Sequence, residues 1–268
     1  MPWSKNGLVV KSKKLNLALQ GSLTLREVRV IQLAIMNVRT NIEAHQPSSP
    51  IYIHANQYSH YFGLEEGCAG YLALIHVSET LGSRVFSFAD ESDSEHLWFE
   101  SVEYLEGTGI LKLVLSQAMY KEVSFNLEDM PHNSVTSYRL ESSTALNSVY
   151  AVRLYELMNQ WRLLKTTPLI SMTTLRKQFG LPDDRYRRMS DFKRLVLDQS
   201  IAKINALTTM HITYTQKKSG KNITHIQFQF HRTNRRGQPP TPSQLKANYL
   251  ASKEQVNKPP IKSHHNDY

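Results

Sequence analysis

Basic residues of the second half of the chain have the types and the spacing needed to bind DNA. A turn with the sequence Arg-Tyr-Arg-Arg, residues 185–188, precedes a helix predicted to open at Ser190, with Lys193 and Arg194 in its first turn. Guanidinium groups near the start of such a helix match the two acceptors of guanine in the major groove. We therefore predict that Arg188 and Arg194 read bases. The neighbouring residues predicted to contact the DNA backbone are Arg185, Arg187 and Ser190.

A hairpin with a lysine-rich tip follows this helix. Residues 211–215 and 223–230 alternate in polarity, which predicts two strands, with Ile226, Phe228 and Phe230 on the buried face. Lysine is a mobile point charge that suits phosphates better than base edges. We predict DNA-backbone contacts for the three lysines of the tip, Lys217, Lys218 and Lys221. A solvated, solubilising turn is the alternative interpretation.

The positive charge belongs to the second half of the chain. Residues 1–133 hold 10 lysines and arginines against 15 acidic residues, residues 134–230 hold 15 against 6, and residues 231–268 hold 7 against 2. A regional positive field attracts a polyanion, so double-stranded DNA is the predicted partner. No lipidation signal, amphipathic anchor or run of about 18 apolar residues predicts a membrane partner. A solvated basic face remains the alternative.

The sequence lacks the motifs of the enzymes that act on DNA. An enzyme that nicks DNA with a tyrosine and a metal needs a His-apolar-His motif, which none of the 11 histidines forms. The phosphate-cradling Gly-x-x-x-x-Gly-Lys-Ser/Thr motif is also absent. One cysteine excludes an intrachain disulfide and a multi-cysteine zinc site, and it fits a reducing cytoplasm. We predict a cytoplasmic protein that is no enzyme and has no catalytic residue, metal or cofactor.

The elements that position the basic residues follow an order that occurs twice in the chain. In the first half, residues 15–19 alternate and predict an extended segment, and Thr24 with Glu27 forms a capping box before a helix. A short strand at 51–53, a helix over 55–62 ended by Gly63, a second helix over 67–81 and strands between 84 and 115 follow. Phosphates are repelled by the acidic loop Asp90–Glu95, so this half is predicted to serve dimerisation and auxiliary DNA contacts.

In the second half, Thr144 is predicted to cap a helix that runs to about Lys165. A short strand at 169–170 and a helix over 171–179, closed by Gly180, come next. A further helix after this turn completes a helix-turn-helix. We predict an α+β fold of two tandem winged-helix domains. Their ranges are 8–128 and 134–232, with a linker at 126–133 and a disordered basic tail over 233–268.

The helix after Phe192 has a narrow polar side. On a regular helical wheel, apolar residues take most of the circumference, and Arg194, Asp198 and Asn205 share one polar strip. Contacts with a DNA groove are therefore predicted to come from this strip and from the first turn. An ion pair between Arg194 and Asp198, four residues apart, is an alternative role that is compatible with DNA binding.

Several segments resemble the iteron-binding initiator proteins of theta-replicating bacterial plasmids. The similarity is dense from about residue 148 to residue 230 and looser from 11 to 125, and it leaves out the tail. The segments that carry it are Arg153-Leu-Tyr-Glu-Leu157, Tyr186-Arg-Arg-Met-Ser-Asp-Phe-Lys-Arg194, Ile204-Asn205, Lys217-Lys-Ser-Gly-Lys221 and Thr224-His-Ile-Gln-Phe228.

The resemblance implies a function in plasmid replication. In that family the C-terminal winged helix reads repeated origin sequences, and the N-terminal one adds phosphate contacts in monomers or dimerises. Monomers open the origin and recruit the host initiator, helicase and chaperones, whereas dimers repress the initiator's own gene. By position, Arg188, Lys193 and Arg194 would meet bases, and the lysines of the hairpin tip would meet the backbone. A winged-helix transcriptional repressor without a replication role remains the alternative, because it would bind DNA through the same surface.

Overall fold

The computed structural model of the protein describes residues 7–42, 45–64, 68–90, 94–131 and 134–232. The predicted tail 233–268 lies outside these residues. The helices are α1 (Lys13–Leu17), α2 (Leu25–Thr40), α3 (Ala55–Phe62), α4 (Ala69–Thr80), α5 (Gln117–Val123), α6 (Val149–Gln160), α7 (Met172–Gln178), α8 (Met189–Phe192) and α9 (Asp198–Leu207). The strands are β1 (Leu8–Ser12), β2 (Leu19–Gln20), β3 (Ile51–His54), β4 (Val85–Ser87), β5 (His96–Leu97), β6 (Phe99–Leu105), β7 (Ile110–Leu115), β8 (Val135–Arg139), β9 (Ile170–Ser171), β10 (Met210–Ser219) and β11 (Asn222–Arg232).

The helix α2 begins at the predicted capping box. The hydroxyl of Thr24 accepts a hydrogen bond from the backbone of Glu27, and the Glu27 carboxylate accepts one of 2.6 Å from the backbone of Thr24. Arg84 donates to the same carboxylate at 2.7 Å. The two bonds between Thr24 and Glu27 satisfy backbone N–H groups that the first turn of a helix leaves open. The capping box predicted from the sequence is therefore confirmed.

The predicted strands of the first half form antiparallel sheets, and β3 packs against α2. The strand order β3-β7-β6 makes one sheet, in which Ile53 lies opposite Leu111, and β2-β4-β5 makes a second one. Side chains alternate along β3 and β7, so that Ile51, Ile53 and Leu113 are buried. The helix α3 ends as predicted at Gly63, where φ is +61°.

Three features that involve the first half differ from the prediction. Residues 15–17 are helical rather than extended, because the hydroxyl of Ser12 caps α1 by accepting from the backbone of Leu15, and Leu15 is buried. The strand β1 pairs with β8, so that Val10 lies opposite Ser137. No local pattern in the sequence indicates this pairing of distant segments, and α5 also was not predicted.

The helix α6 is shorter than the predicted helix from Thr144 to Lys165. Its first residue is Val149, and the hydroxyl of Thr144 instead donates to the carbonyl of Glu141 in the preceding turn. After Gln160 the chain leaves the helix, and the Lys165 carbonyl accepts from the backbone of Phe230 at 2.9 Å. The loop therefore runs along β11, which forms the sheet β10-β11-β9.

One apolar core runs through both halves of the chain. Leu33 in α2, Leu154 in α6 and Phe228 in β11 are fully buried in the same cluster. Along the described ranges of the chain, no helix is long and apolar enough to cross a membrane.

Candidate nucleic-acid interface

The predicted helix-turn-helix is present and its turn is held by Arg176 of α7. The guanidinium of Arg176 donates to the carbonyls of Pro182, Arg185 and Tyr186, the last at 2.9 Å. It also lies 5.6 Å from the ring centroid of Phe192. One half-buried arginine thus fixes the backbone that carries the predicted DNA-backbone contacts, a role that was not predicted from the sequence.

Tyr186 has a left-handed backbone conformation, with φ at +51°. This conformation is uncommon for a residue with a side chain, and it needs support from its surroundings. The ring of Tyr186 meets that of Tyr150 edge to face at 6.5 Å, and Arg176 holds its carbonyl. The turn is therefore set by packing against α6 as well as by hydrogen bonds.

The second helix begins within one residue of the predicted start. Arg188 is its N-cap residue and α8 starts at Met189. Four predicted contact residues around this start are exposed to solvent, namely Arg185, Arg187, Arg188 and Ser190. The first turn of the helix therefore presents its cations outward, as predicted.

The helix is not regular beyond its first turn. Lys193–Leu197 form a π-helical stretch between α8 and α9. We call the continuous helix over 189–207 the recognition helix. A π-helical turn holds an extra residue, so the side chains that follow rotate away from their positions on a regular wheel. The prediction of one polar strip assumed a regular helix, and it is wrong for this reason.

Asp198 and Asn205 bind the hairpin rather than facing a groove. The Asn205 side chain accepts from the backbone of Ile212 at 2.7 Å and donates to its carbonyl at 2.9 Å. Asp198 accepts a 2.8 Å hydrogen bond from the hydroxyl of Tyr214. These bonds fix β10 against the recognition helix, so helix and hairpin form one rigid surface.

Arg194 is available for an external partner. Its side chain is 69% exposed, and its guanidinium lies 3.5 Å from the Asp191 carboxylate. The predicted alternative pairing with Asp198 is wrong, since Asp198 bonds Tyr214 instead. An exposed ion pair of this length contributes little to stability, about 0–1 kcal/mol, and is exchanged readily for a phosphate or base.

Lys193 lies where the recognition helix meets the hairpin. It is half-buried, and its ammonium lies 5.9 Å from the ring centroid of Tyr214 in β10. An ammonium at this distance is attracted to the face of the ring. Lys193 is thus more buried than the other predicted cations, and it lies between the two groups of predicted DNA contacts.

The hairpin tip presents the three predicted lysines to solvent. Lys217, Lys218 and Lys221 are all exposed, and Gly220 turns the chain with φ at +58°. The register shifts between Lys217 and Lys218. Exposed ammonium groups at the end of a long hairpin can reach along a phosphate backbone. The structure thus presents the predicted base and backbone contacts on adjoining elements, and their roles stay predictions.

Among the described residues, the side chains of this surface do not meet the requirements of a metal site. Within the described ranges, no group of three histidine, cysteine or acidic side chains is placed to hold a metal ion. The arrangement of exposed cations on a helix and a hairpin suits electrostatic and hydrogen-bond recognition of an extended polyanion.

Comparisons with known proteins match both halves of the chain. A family model described as initiator replication protein, WH1, matches residues 8–159, and one described as initiator Rep protein, WH2, matches residues 171–230. The first match includes β8 and α6, whereas the boundary predicted from the sequence lies between 128 and 134. The two predicted winged-helix domains are confirmed.

Three solved structures are similar to this chain. The structure described as Pi initiator protein in complex with iteron DNA has a TM-score of 0.68 and 21% sequence identity, and covers 87% of this chain and 100% of that one. A WH1 domain of the replication protein MSBI1.176, isolated from a multiple sclerosis patient, has a TM-score of 0.31 and 25% identity, with 36% and 77% coverage. Domains 2 and 3 of RctB have a TM-score of 0.43 and 12% sequence identity, and the match covers 86% of this chain and 89% of that one.

Proposed function

This chain belongs to the family of initiator replication proteins, and on that premise we propose that it starts plasmid replication by binding direct repeats, or iterons, in an origin. The observation that carries the proposal is the helix-turn-helix followed by the hairpin β10–β11, which we call the wing. The exposed basic turn, the outward cations of the recognition helix and the lysines of the wing tip all lie inside the range 171–230 of the WH2 match. The Pi initiator protein, which shares this fold, was solved with iteron DNA.

We assign the predicted contacts to two kinds of DNA group. Arg188, Lys193 and Arg194 read base edges in the major groove, because they lie in the first turns of the recognition helix. The remaining cations contact phosphates and set the register of the protein on the duplex. The backbone contacts are Arg185, Arg187, Ser190, Lys217, Lys218 and Lys221.

The two domains have different roles in this proposal. The range 134–232 is the main reader of sequence, and the range 8–128 adds DNA contacts in monomers and forms the dimer. Monomers open the origin and recruit the host initiator, helicase and chaperones, and dimers repress the initiator's own gene. The protein acts in the cytoplasm by binding, without catalysis.

Footprinting on the plasmid that carries the gene tests this function. We expect protection of several direct repeats near the origin, and we expect an origin-bearing plasmid to replicate when the gene is supplied in trans. Protection of one palindrome alone, without replication in trans, would contradict the proposal and favour the winged-helix repressor.

A further inference from the structure

The two winged-helix domains touch through backbone at Gly21 and Gly180. Gly180 follows α7 and has φ at +64°, and its carbonyl oxygen accepts a 3.1 Å hydrogen bond from the hydroxyl of Ser22. A Cβ added to Gly180 would lie 2.5 Å from the carbonyl oxygen of Gly21 and 3.0 Å from that of Gln20. Because the opposing atoms are backbone, no side chain can rotate to make room. Only glycine allows this approach.

Arg153 of α6 joins the same two domains from inside. Its Nε donates to the carbonyl of Gln178 at 2.8 Å, and its Nη2 donates to the carbonyl of Ala18 at 2.9 Å. Ala18 follows α1, whereas Gln178 is the last residue of α7, the first helix of the helix-turn-helix. The Gln178 side chain adds a 3.3 Å hydrogen bond to the carbonyl of Leu17. One planar guanidinium thus spans the boundary between the domains.

The position of Arg153 is itself fixed by buried charges. Its Nη1 lies 3.5 Å from the Glu156 carboxylate, which also binds Lys11 at 2.9 Å and Tyr138 at 2.5 Å. Burial acts to raise the pKa of Glu156, but Lys11, Arg153 and the Tyr138 hydroxyl together outweigh it and lower that pKa. The carboxylate therefore stays ionised and forms a buried ion pair with the guanidinium, whose hydrogen bonds to the two carbonyls set its orientation.

The space beside this contact is open. A groove of about 430 Å³ lies there, between Phe86 and Glu95 on one side and Lys177 and Leu181 on the other. Next to this groove, the bonds from Ser22 and Gln178 hold the end of α7 against the first domain. We define the joint as Arg153 with its two carbonyl partners, together with the contact between Gly21 and Gly180.

We propose that Arg153 is a positioning residue, and that the joint sets the orientation of the helix-turn-helix so that both domains meet one DNA duplex together. A guanidinium donates in two fixed directions, which a lysine ammonium on a flexible stem cannot reproduce. Any tilt of α7 at the joint is passed to the recognition helix through the turn that Arg176 holds. The DNA part of this inference rests on the proposed function.

The orientation can be measured in the full chain without DNA. Cys68 is the single cysteine and is exposed in the first domain, and Gln199 is exposed on the recognition helix. Spin labels on Cys68 and on a Gln199→Cys substitution report the distance between the domains by double electron–electron resonance. The variants to compare are Arg153→Lys and Gly180→Ala. Gly63→Ala is the matched control, because Gly63 also ends a helix with φ at +61° but has nothing within 4 Å of an added Cβ.

We expect one narrow distance distribution in the wild type and in Gly63→Ala, and a shifted or broadened one in both joint variants. Gly180→Ala decides the question if Arg153→Lys does not fold. On a duplex that the wild type selects from a random-sequence pool, we expect the affinity of the joint variants to fall by about 10-fold or more, since the advantage of linking two binding modules is reduced.

An unchanged distance distribution in Gly180→Ala would overturn the inference, and so would a changed distribution with unchanged affinity. If the wild type selects no duplex at all, the proposed function fails, whereas the distances still decide whether the joint sets the orientation.

Discussion

The hydroxyl of Tyr214, in the first strand of the hairpin, donates a 2.8 Å hydrogen bond to Oδ1 of Asp198, at the start of α9. Burial, together with the hydrogen bond and negative charge of Asp198, raises the pKa of Tyr214 well above its ordinary value, so the hydroxyl keeps its proton. The same ring lies beside the ammonium of Lys193. This contact makes the wing and the recognition helix a single unit.

Tyr214→Phe is expected to loosen that unit. It removes the hydrogen bond but keeps the ring, and we expect the free energy of unfolding to fall by about 1–2 kcal/mol. Affinity for DNA should fall while the preferred base sequence stays the same. Urea denaturation and binding titrations measure both effects. Asp198→Asn, which keeps an acceptor oxygen, should have a smaller effect, and an equal effect would argue against this role of the bond.

Arg194→Ala is expected to weaken binding to the preferred repeat and to relax the choice of base at one position. A bidentate contact with guanine accounts for about 1–3 kcal/mol of discrimination. The exposed guanidinium forms only a weak internal ion pair, so folding should be unaffected. Binding to a panel of single-base variants of the repeat measures the change. Arg194→Lys is the control, because it keeps the positive charge but cannot make the bidentate contact of a guanidinium. Retention of full specificity in Arg194→Ala would remove this residue from the base contacts.

The three wing lysines are expected to act on affinity and not on specificity. Replacing Lys217, Lys218 and Lys221 by alanine should weaken binding to all sequences alike. The slope of log K against log salt should become shallower by about 0.9 for each phosphate that the variant no longer neutralises. The triple arginine variant keeps the charges and should keep the slope. A slope that is the same in the alanine variant would show that the tip is only a solvated turn.

Arg176→Ala is expected to disorder the turn between the two helices of the helix-turn-helix. Three carbonyls are left without this donor, and the left-handed backbone at Tyr186 loses one of its two supports. We expect faster amide hydrogen exchange over 182–188 and weaker DNA binding. Lys177→Ala is the matched control, since it removes a neighbouring exposed cation of the same helix. Equal effects of the two variants on DNA binding would point to charge alone.

Glu156→Gln is expected to destabilise the protein at neutral pH by about 3–5 kcal/mol, because Lys11 and Arg153 remain buried without their counter-charge. The pKa of Glu156 is lowered in the folded state, so its contribution is complete above the ordinary value of 4.5 and is lost as pH falls through the folded pKa. The difference between wild type and variant should therefore narrow below pH 4.5. Chemical denaturation over a pH series checks this, and a difference that does not depend on pH would contradict it.

Local signals in the sequence predicted much of the fold. The capping box of Thr24 and Glu27, the end of α3 at Gly63 and the alternation along the hairpin each depend on neighbouring residues, and each is confirmed. Where distant residues decide the structure, the prediction was wrong or missing. Residues 15–17 alternate like a strand but are helical, because Ser12 caps them and the rest of the fold buries Leu15.

The candidate interface shows the same division. The composition of the basic turn and of the tip indicated exposed cations, and their side chains are exposed. The predicted helical wheel does not hold after Lys193, because a π-helical turn changes the number of residues per turn. No residue type indicates such a turn. The polar side chains of Asp198 and Asn205 were predicted to share a free strip. Their partners lie in β10. The positions of polar side chains along one helix do not show which other element they bind.

The pairing of β1 with β8 has a consequence for synthesis of the protein. The strand β1 leaves the ribosome well before its partner at residues 135–139, and Asn16 beside it donates to the carbonyl of Glu156 in α6. The nascent chain must therefore hold β1 without this partner until residues 135–139 have been translated. During that interval the exposed strand edge is open to binding by chaperones or by other unfinished chains.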